Sequence, residues 1–145
     1  MKKRRLILII IALLAVSGTV TFFITAGGRT YSEDGLRQNS RMYMENVCYR
    51  DGTIYYTIVN QTYREFTVAS CPNVNRNEDG QWKSYPLYTI KPANATLIKP
   101  FSTTQHSFKV EEGLSITEGE YRLTYWYGDR YHMAGYLTVT ADMLP

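Results

Sequence analysis

The chain has 145 residues, of which 44% are hydrophobic and 20% charged, enough for one domain of ordinary size and a short appendage. Its formal net charge of +3 arises at the N-terminus, where the first five residues include four of the 16 Lys and Arg. The rest of the chain has 12 Lys and Arg and 13 Asp and Glu, so its net charge is 12 − 13 = −1. This distribution argues against a nucleic-acid-binding protein, because the excess basic charge is confined to the N-terminus.

The N-terminal segment has the pattern of a membrane anchor. The basic cluster at 1–5 precedes a stretch of 21 residues, 6–26, without a charged side chain. At the rise of an α-helix this stretch is about 31 Å long, which is enough to cross the hydrocarbon core of a bilayer. Basic residues before it predict a single-pass transmembrane helix with a cytoplasmic N-terminus and an extracellular C-terminal domain.

A cleaved signal peptide is the alternative for the same segment, and it would make the protein secreted. Ala15-Val16-Ser17 has small residues at the two key positions of a cleavage site. Apolar residues continue past Ser17 as far as Ile24, which favours the uncleaved anchor. A buried core helix is disfavoured, because the segment has no polar face at helical period.

The rest of the chain divides into a tether and a domain. Residues 27–40 are polar and contain three Gly, which predicts a flexible tether. From 41 to 145 short β-rich runs alternate with turn signals, among them the Asp-Gly pair at 51–52 and the segment 75–80. Strands are predicted, in chain order, at 41–49, 53–59, 63–71, 81–85 and 104–110, and in an antiparallel hairpin within 118–139.

This pattern predicts the fold class. About seven short strands without an amphipathic helix after the anchor indicate an all-β sandwich or barrel. The roughly 105 residues from 41 onward are the size of one immunoglobulin-like sandwich.

A Gly and a Tyr mark the entrance of the last hairpin. Tyr121, two residues after Gly119, is placed to hydrogen-bond back to the preceding crossover, an arrangement called a tyrosine corner. The alternative is a strand Tyr that only fills the core. In either case the alternation places Tyr121, Leu123, Tyr125 and Tyr127 on one face of the strand and Arg122, Thr124 and Trp126 on the other.

The two cysteines, Cys48 and Cys71, lie in the part predicted to be outside the membrane. Two chain reversals bring them toward the same end of the domain, which predicts a disulfide. Such a bridge closes a loop of roughly 23 residues and contributes about 3 kcal/mol in the chain-entropy model. Two buried thiols are the alternative.

The sequence has no pattern of catalytic or metal-ligating residues. His106 and His132 have no ligand-like spacing to Cys or Asp, and no Gly-x-Ser-x-Gly element is present, so no enzyme activity, metal or cofactor is predicted. Thirteen tyrosines follow residue 30. Tyr49, Tyr55, Trp126 and Tyr131 are predicted to lie outside the core and to form a ligand or partner surface. The alternative is that these rings only reflect the usual Tyr content of strands.

Three short motifs carry a resemblance to a known family. Ile-Val-Asn at 58–60, Glu-Asp-Gly-Gln-Trp at 78–82 and Gly-Glu-Tyr-Arg-Leu at 119–123 resemble the bacterial immunoglobulin-like domains of Gram-positive cell-surface proteins. The resemblance spans roughly 41–140 and implies a Greek-key, extracytoplasmic sandwich that is often attached to a membrane. Two departures are Thr117-Glu118, where the family usually has Pro, and the absence of a lipid-attachment Cys.

These observations predict a non-catalytic binding module tethered to the membrane. Its expected partner is another envelope or membrane protein, a cell-wall polymer or a small ligand, and not a nucleic acid. One alternative is a protease inhibitor that acts through an exposed loop at 85–100 or 128–131. Another is an accessory subunit of a membrane complex, with the anchor in contact with a partner helix.

Overall fold

A computed structural model describes residues 28–89, 94–127 and 131–144, and this part of the chain is all-β, as predicted. The strands are β1 Thr30–Glu33, β2 Leu36–Asn39, β3 Met42–Arg50, β4 Thr53–Asn60, β5 Phe66–Ala69, β6 Asn73–Glu78, β7 Gln81–Ser84, β8 Ala95–Ile98, β9 Ser102–Lys109, β10 Gly119–Tyr127 and β11 Tyr131–Val139. A short 3₁₀ turn, Ala141–Met143, follows the last strand.

The predicted anchor at 6–26 and the basic cluster at 1–5 lie outside the described residues. Within the described ranges, no helix has the length and the apolar character needed to span a membrane.

The strands form two large sheets and one small one, and all the pairings are antiparallel. The larger sheet has the order β1-β2-β3-β4-β9, and the second has the order β11-β10-β6-β7. β5 and β8 pair separately. Both large sheets bring together strands that are distant in the sequence, since β4 pairs with β9 and β6 with β10.

Three hairpins of the domain use the same turn chemistry. Asp-Gly pairs at 34–35, 51–52 and 79–80 connect β1 to β2, β3 to β4 and β6 to β7. All six residues have φ between 49° and 80°. Asp tolerates this conformation and Gly adopts it freely, and two successive positive φ angles give the turn whose twist matches that of the flanking strands.

The tether predicted at 27–40 is instead largely a β-hairpin of the domain, built from β1 and β2. The Asp-Gly pair at 34–35 is the same turn signal as the pair at 51–52, although the strands beside it are short and polar. Gln38 is buried and its Oε1 accepts a hydrogen bond from the Ala134 backbone N–H of β11 at 3.3 Å. The hairpin therefore lies along the edge of the four-stranded sheet and protects an edge strand.

The turn predicted at 75–80 is also confined to its last two residues. β6 extends through Glu78, and its asparagines at 73, 75 and 77 are strand residues that are only partly buried. Their polar character reflects a solvent-facing side of the sheet and not a loop.

The core lies between the two large sheets. The β10 alternation is confirmed, because Tyr121, Leu123, Tyr125 and Tyr127 are all buried. From the other sheet, Ile54, Tyr56 and Ile58 of β4 face them and belong to the same apolar cluster. Full burial of an aliphatic side chain such as Leu123 or Ile54 contributes about 1.5–3 kcal/mol to the free energy of unfolding.

Tyr121 also contacts the chain that leads into β10. Its hydroxyl donates a hydrogen bond to the Thr117 carbonyl at 2.8 Å and accepts one from the Thr117 N–H at 3.1 Å. This is the contact that a tyrosine corner makes, and it holds the crossover against the start of the strand. Gly119 has φ 150°, a value that disfavours a side chain at this position.

A β-bulge in β3 decides where the first cysteine points. The pairing with β4 shifts between Glu45 and Cys48, so that Asn46 and Val47 together oppose one residue of β4. Asn46 has φ 54°, which Asn tolerates better than most residues. The extra residue reverses the alternation, and Cys48 therefore lies on the opposite side from the buried Met44.

The disulfide predicted between Cys48 and Cys71 is not present, although both residues are described. Cys48 is exposed on the outer side of β3, whereas Cys71 is buried in the core cluster. The bulge explains the difference, because strict alternation from Met42 and Met44 would have turned Cys48 toward the core.

Candidate functional site

Both tryptophans of the chain lie on one side of the four-stranded sheet, the side turned away from the core. We call this side the outer face. The strand registers place on it Glu120, Arg122, Thr124 and Trp126 of β10, His132, Ala134, Tyr136 and Thr138 of β11, Asn73, Asn75 and Asn77 of β6, and Trp82 and Ser84 of β7. Rigid strands thus present aromatic rings beside amide, carboxylate and guanidinium groups.

A small cavity opens on the outer face between two of the rings. It has a volume of about 160 Å³, and we call its four outer-face residues, Trp82, Glu120, Tyr136 and Thr138, the aromatic cleft. The ring centroids of Trp82 and Tyr136 are 5.8 Å apart, and their planes are inclined at 58°. The two rings therefore form a wedge.

Arg122 contacts one ring of the aromatic cleft and is only 7% exposed. Its guanidinium carbon is 4.8 Å from the centroid of the Trp82 ring, and its Nη1 donates a hydrogen bond to the Asp34 carbonyl at 3.1 Å. A stacked guanidinium and a large ring attract each other electrostatically. Arg122 thereby restrains the Trp82 ring and ties the β1–β2 hairpin to the outer face.

The second ring of the cleft is held by the same hairpin. The Tyr136 hydroxyl donates a hydrogen bond to Asp34 Oδ2 at 2.7 Å. Burial, and after it the neighbouring Asp34 carboxylate, raises the pKa of Tyr136 far above its ordinary value. Tyr136 is therefore protonated at neutral pH, and its hydroxyl remains a donor.

Several polar atoms of the outer face are buried without a hydrogen-bond partner among the described residues: Asn77 Oδ1, Arg122 Nε and His132 Nδ1. Asn77 Nδ2 donates to Glu120 Oε2 at 2.7 Å, so only one end of this amide is satisfied. A buried polar atom without a partner costs about 1–3 kcal/mol, which water or a ligand can offset. Hydrogen bonding on the outer face is therefore incomplete among the described residues.

Trp126 lies at the other end of the outer face. It is 58% exposed, and its ring centroid is 3.8 Å from that of His132. Burial, and after it the positive charge of Arg122, lowers the pKa of His132, so this imidazole is neutral at pH 7. Trp126 therefore offers a broad apolar surface beside an uncharged ring.

The four aromatic residues predicted to form one surface do not lie together. Trp126 is on the outer face, but Tyr55 is on the other large sheet, where the Arg50 guanidinium lies 5.3 Å from its ring centroid. Tyr131 is partly buried and stacks on Tyr127 at 5.8 Å. Tyr49 packs against the core cluster.

Trp82, Glu120 and Tyr136 were not predicted as site residues. The two-residue turn at 79–80 places Trp82 opposite Asn77, and the inward position of Leu137 implies that Tyr136 points outward. Both signals are local and readable. The pairing of β6 with β10, which brings these side chains together, cannot be recognised from the local sequence.

Two other kinds of site are a metal centre and an inhibitory loop. Among the residues that the structure describes, no three His, Cys, Asp or Glu side chains are grouped closely enough to hold a metal ion. The loops considered for protease inhibition, 85–100 and 128–131, include 90–93 and 128–130, which lie outside the described residues.

Neither the protein-family models nor the curated proteins compared with this chain gave a match. Function is therefore inferred from the sequence and from the geometry of the outer face.

Proposed function

We propose that this protein is a non-catalytic binding module, held on the extracytoplasmic side of a membrane by its N-terminal apolar segment, and that it contacts its partner through the outer face. One observation carries the proposal. Both tryptophans lie on this face together with buried polar atoms that have no partner among the described residues. Trp, Tyr and Arg are the residues most enriched at the energetic centres of binding surfaces.

The proposed fold is an immunoglobulin-like Greek-key sandwich, and the strand orders support it. β3, β4 and β9 are neighbours in the order of strands A, B and E of such domains. β11, β10, β6 and β7 have the order G, F, C and C′ of the variable type. The Tyr121 contact at the entrance of β10, the counterpart of strand F, supports the same assignment. β1 and β2 would then be an addition to the fold.

The outer face is suited to recognition because its side chains are fixed before a partner arrives. Trp82 is stacked on Arg122, and Tyr136 is hydrogen-bonded to Asp34. Side chains that are already immobilised lose less conformational entropy on binding, so more of the contact energy appears as affinity. Positions on strands are also more precise than positions on loops.

A tether to the membrane would hold this face close to the bilayer. Only residues 27–29 separate the apolar segment from β1. Three extended residues span about 10 Å at most. The proposed partner is therefore a molecule within reach of the membrane surface, such as another envelope protein or a wall polymer.

Photo-crosslinking from two matched positions tests the proposal. Thr138 is an exposed strand residue of the outer face, and Thr103 is an exposed strand residue of β9 in the other large sheet. We expect the full-length protein with benzoylphenylalanine at position 138 to form discrete adducts in intact cells under ultraviolet light, and the protein with it at position 103 to form none. Equal adducts from both positions, or adducts from position 103 alone, would contradict the assignment of the outer face.

A further inference from the structure

We propose that the aromatic cleft binds one neutral pyranose ring, as a single sugar unit of a glycan. This inference rests on the proposed function, because it names the ligand class of the same face.

The size of the cleft limits the ligand to about one ring. Its volume is about 160 Å³. Sites for drug-sized molecules have volumes of about 300–1,000 Å³. The cleft also opens on the outer face, so the neighbouring units of a chain-like ligand can continue across the sheet surface.

The walls of the cleft suit the less polar side of a sugar. A pyranose ring presents a flat patch of C–H groups, which packs against an aromatic ring, while its hydroxyl groups point outward around the rim. Trp82 and Tyr136 are inclined at 58°, so one ring can cover the C–H patch while the other contacts the edge of the sugar. Trp and Tyr bury a large apolar area and keep a polar group available, which matches this mixed surface.

The polar groups of the cleft suit neighbouring hydroxyl groups. Glu120 lines the cavity and offers two carboxylate oxygens, one of which also accepts a hydrogen bond from Asn77 Nδ2. The two oxygens of this carboxylate match two adjacent sugar hydroxyls, each of which has a proton to donate. The Thr138 hydroxyl can donate or accept, so it can complete the set.

The charges around the cleft favour a neutral ligand. An aromatic wedge with a carboxylate could also hold a quaternary ammonium ion. However, the Arg122 guanidinium already lies 4.8 Å from the centroid of Trp82, and a second cation on this ring would be repelled across a short, poorly solvated distance. An anion would meet the same repulsion from Glu120. A hydroxylated, uncharged ring is repelled by neither Arg122 nor Glu120.

The test uses the full-length protein in a polyoxyethylene detergent, which has neither a sugar nor an ammonium headgroup. Trp126→Phe leaves Trp82 as the only tryptophan, so fluorescence reports on the cleft. We expect the β-1,4-linked trimer of N-acetylglucosamine or methyl β-glucopyranoside, at millimolar concentration, to change the Trp82 emission in a saturable way. Glu120→Gln in this background should weaken binding by about tenfold, the effect of replacing a charged hydrogen-bond acceptor by a neutral one. Thr103→Val, on the other sheet, should leave it unchanged.

Three results would overturn the inference. They are no saturable change with either sugar, equal binding by the Glu120→Gln protein, and saturable binding of tetramethylammonium in place of the sugars. If the sugars fail while position 138 still forms specific adducts in cells, the outer face is a binding surface for another class of partner and only the sugar assignment is lost. If both experiments fail, the proposed function fails with it.

Discussion

The hydroxyl groups of Tyr56 and Tyr125 lie 2.6 Å apart in the interior of the protein, where they join β4 of one large sheet to β10 of the other. Burial raises the pKa of Tyr56 to about 12. The pKa of Tyr125 is also raised well above its ordinary value, first by burial and then by Tyr56. Both phenols are thus neutral at physiological pH, and their hydrogen bond connects the two layers inside the core.

The losses of stability from removing these two hydroxyls should not be additive. Tyr56→Phe or Tyr125→Phe leaves the other hydroxyl buried without this partner, at a cost of about 1–3 kcal/mol in the free energy of unfolding. The double variant removes donor and acceptor together, so its loss should be smaller than the sum of the single losses. Urea unfolding of residues 28–145 measures the three values. Strictly additive losses would show that the bond contributes nothing beyond each ring's own packing.

Asn60 should be one of the most sensitive polar positions in the domain. It is completely buried, and its Nδ2 donates to the carbonyls of Arg64 and Lys99 at 2.7 and 2.9 Å. Its Oδ1 accepts from the N–H and the hydroxyl of Thr62 at 2.9 and 2.7 Å. Asn60→Ala removes all of these hydrogen bonds from a buried site, so we expect a loss of about 2–5 kcal/mol in the free energy of unfolding, measured by urea titration.

The exposed Asn94 is the matched control for this position. Asn94→Ala should change the free energy of unfolding by no more than about 0.5 kcal/mol. A similarly small loss for Asn60→Ala would show that solvent replaces the bonds of Asn60 without cost. Asn60 ends the Ile-Val-Asn motif, one of the three motifs that carry the family resemblance. Its hydrogen bonds hold the segment after β4 against the end of that strand, which gives the motif a physical role.

Local signals predicted much of the fold. The alternation of β10 and the Asp-Gly turn at 51–52 needed only the sequence, because face and turn type depend on neighbouring residues. The β1–β2 hairpin was missed although it has the same turn, because its strands are polar on nearly every residue and show no buried alternation. The bulge at Asn46 has no clear mark in the sequence, and it alone reverses the side on which Cys48 lies.

The candidate site was less predictable than the fold. Alternation placed Trp126 correctly on the side of β10 away from the core. Trp82 and Tyr136, however, come close to each other only because β6 pairs with β10, and β10 with β11. Such pairings between distant strands are decided by the packing of the whole domain, which one sequence does not reveal.

The positions of the two cysteines predict different reactivity toward a thiol reagent. Cys48 is exposed and Cys71 is buried. In the native protein, a maleimide should therefore label Cys48 quickly and Cys71 only after unfolding, because the reagent must reach the sulfur. Mass spectrometry of the labelled peptides measures both, and Cys48→Ser supplies the control. Labelling of neither residue until a reductant is added would show that the two form a disulfide in solution.

His106 should make the protein less stable as the pH falls below neutral. Its ring stacks on Tyr56 with centroids 5.5 Å apart, and its Nε2 is buried without a partner among the described residues. Burial lowers the pKa of His106 from its ordinary value of 6.5, so the unfolded chain binds a proton more readily than the folded one. The free energy of unfolding should therefore fall as the pH drops from about 6.5 through the folded-state pKa.

His106→Phe keeps a ring against Tyr56 and removes the titrating group, so its free energy of unfolding should depend less on pH between about pH 7 and about pH 5. His132→Phe is the matched control, because burial and then Arg122 lower the pKa of His132 in the same direction. It should remove only its own share of the pH dependence, and the double variant should show the flattest profile. Urea unfolding at several pH values compares the four proteins. A profile for His106→Phe that runs parallel to that of the native protein would mean that His106 is solvated enough to keep its ordinary pKa.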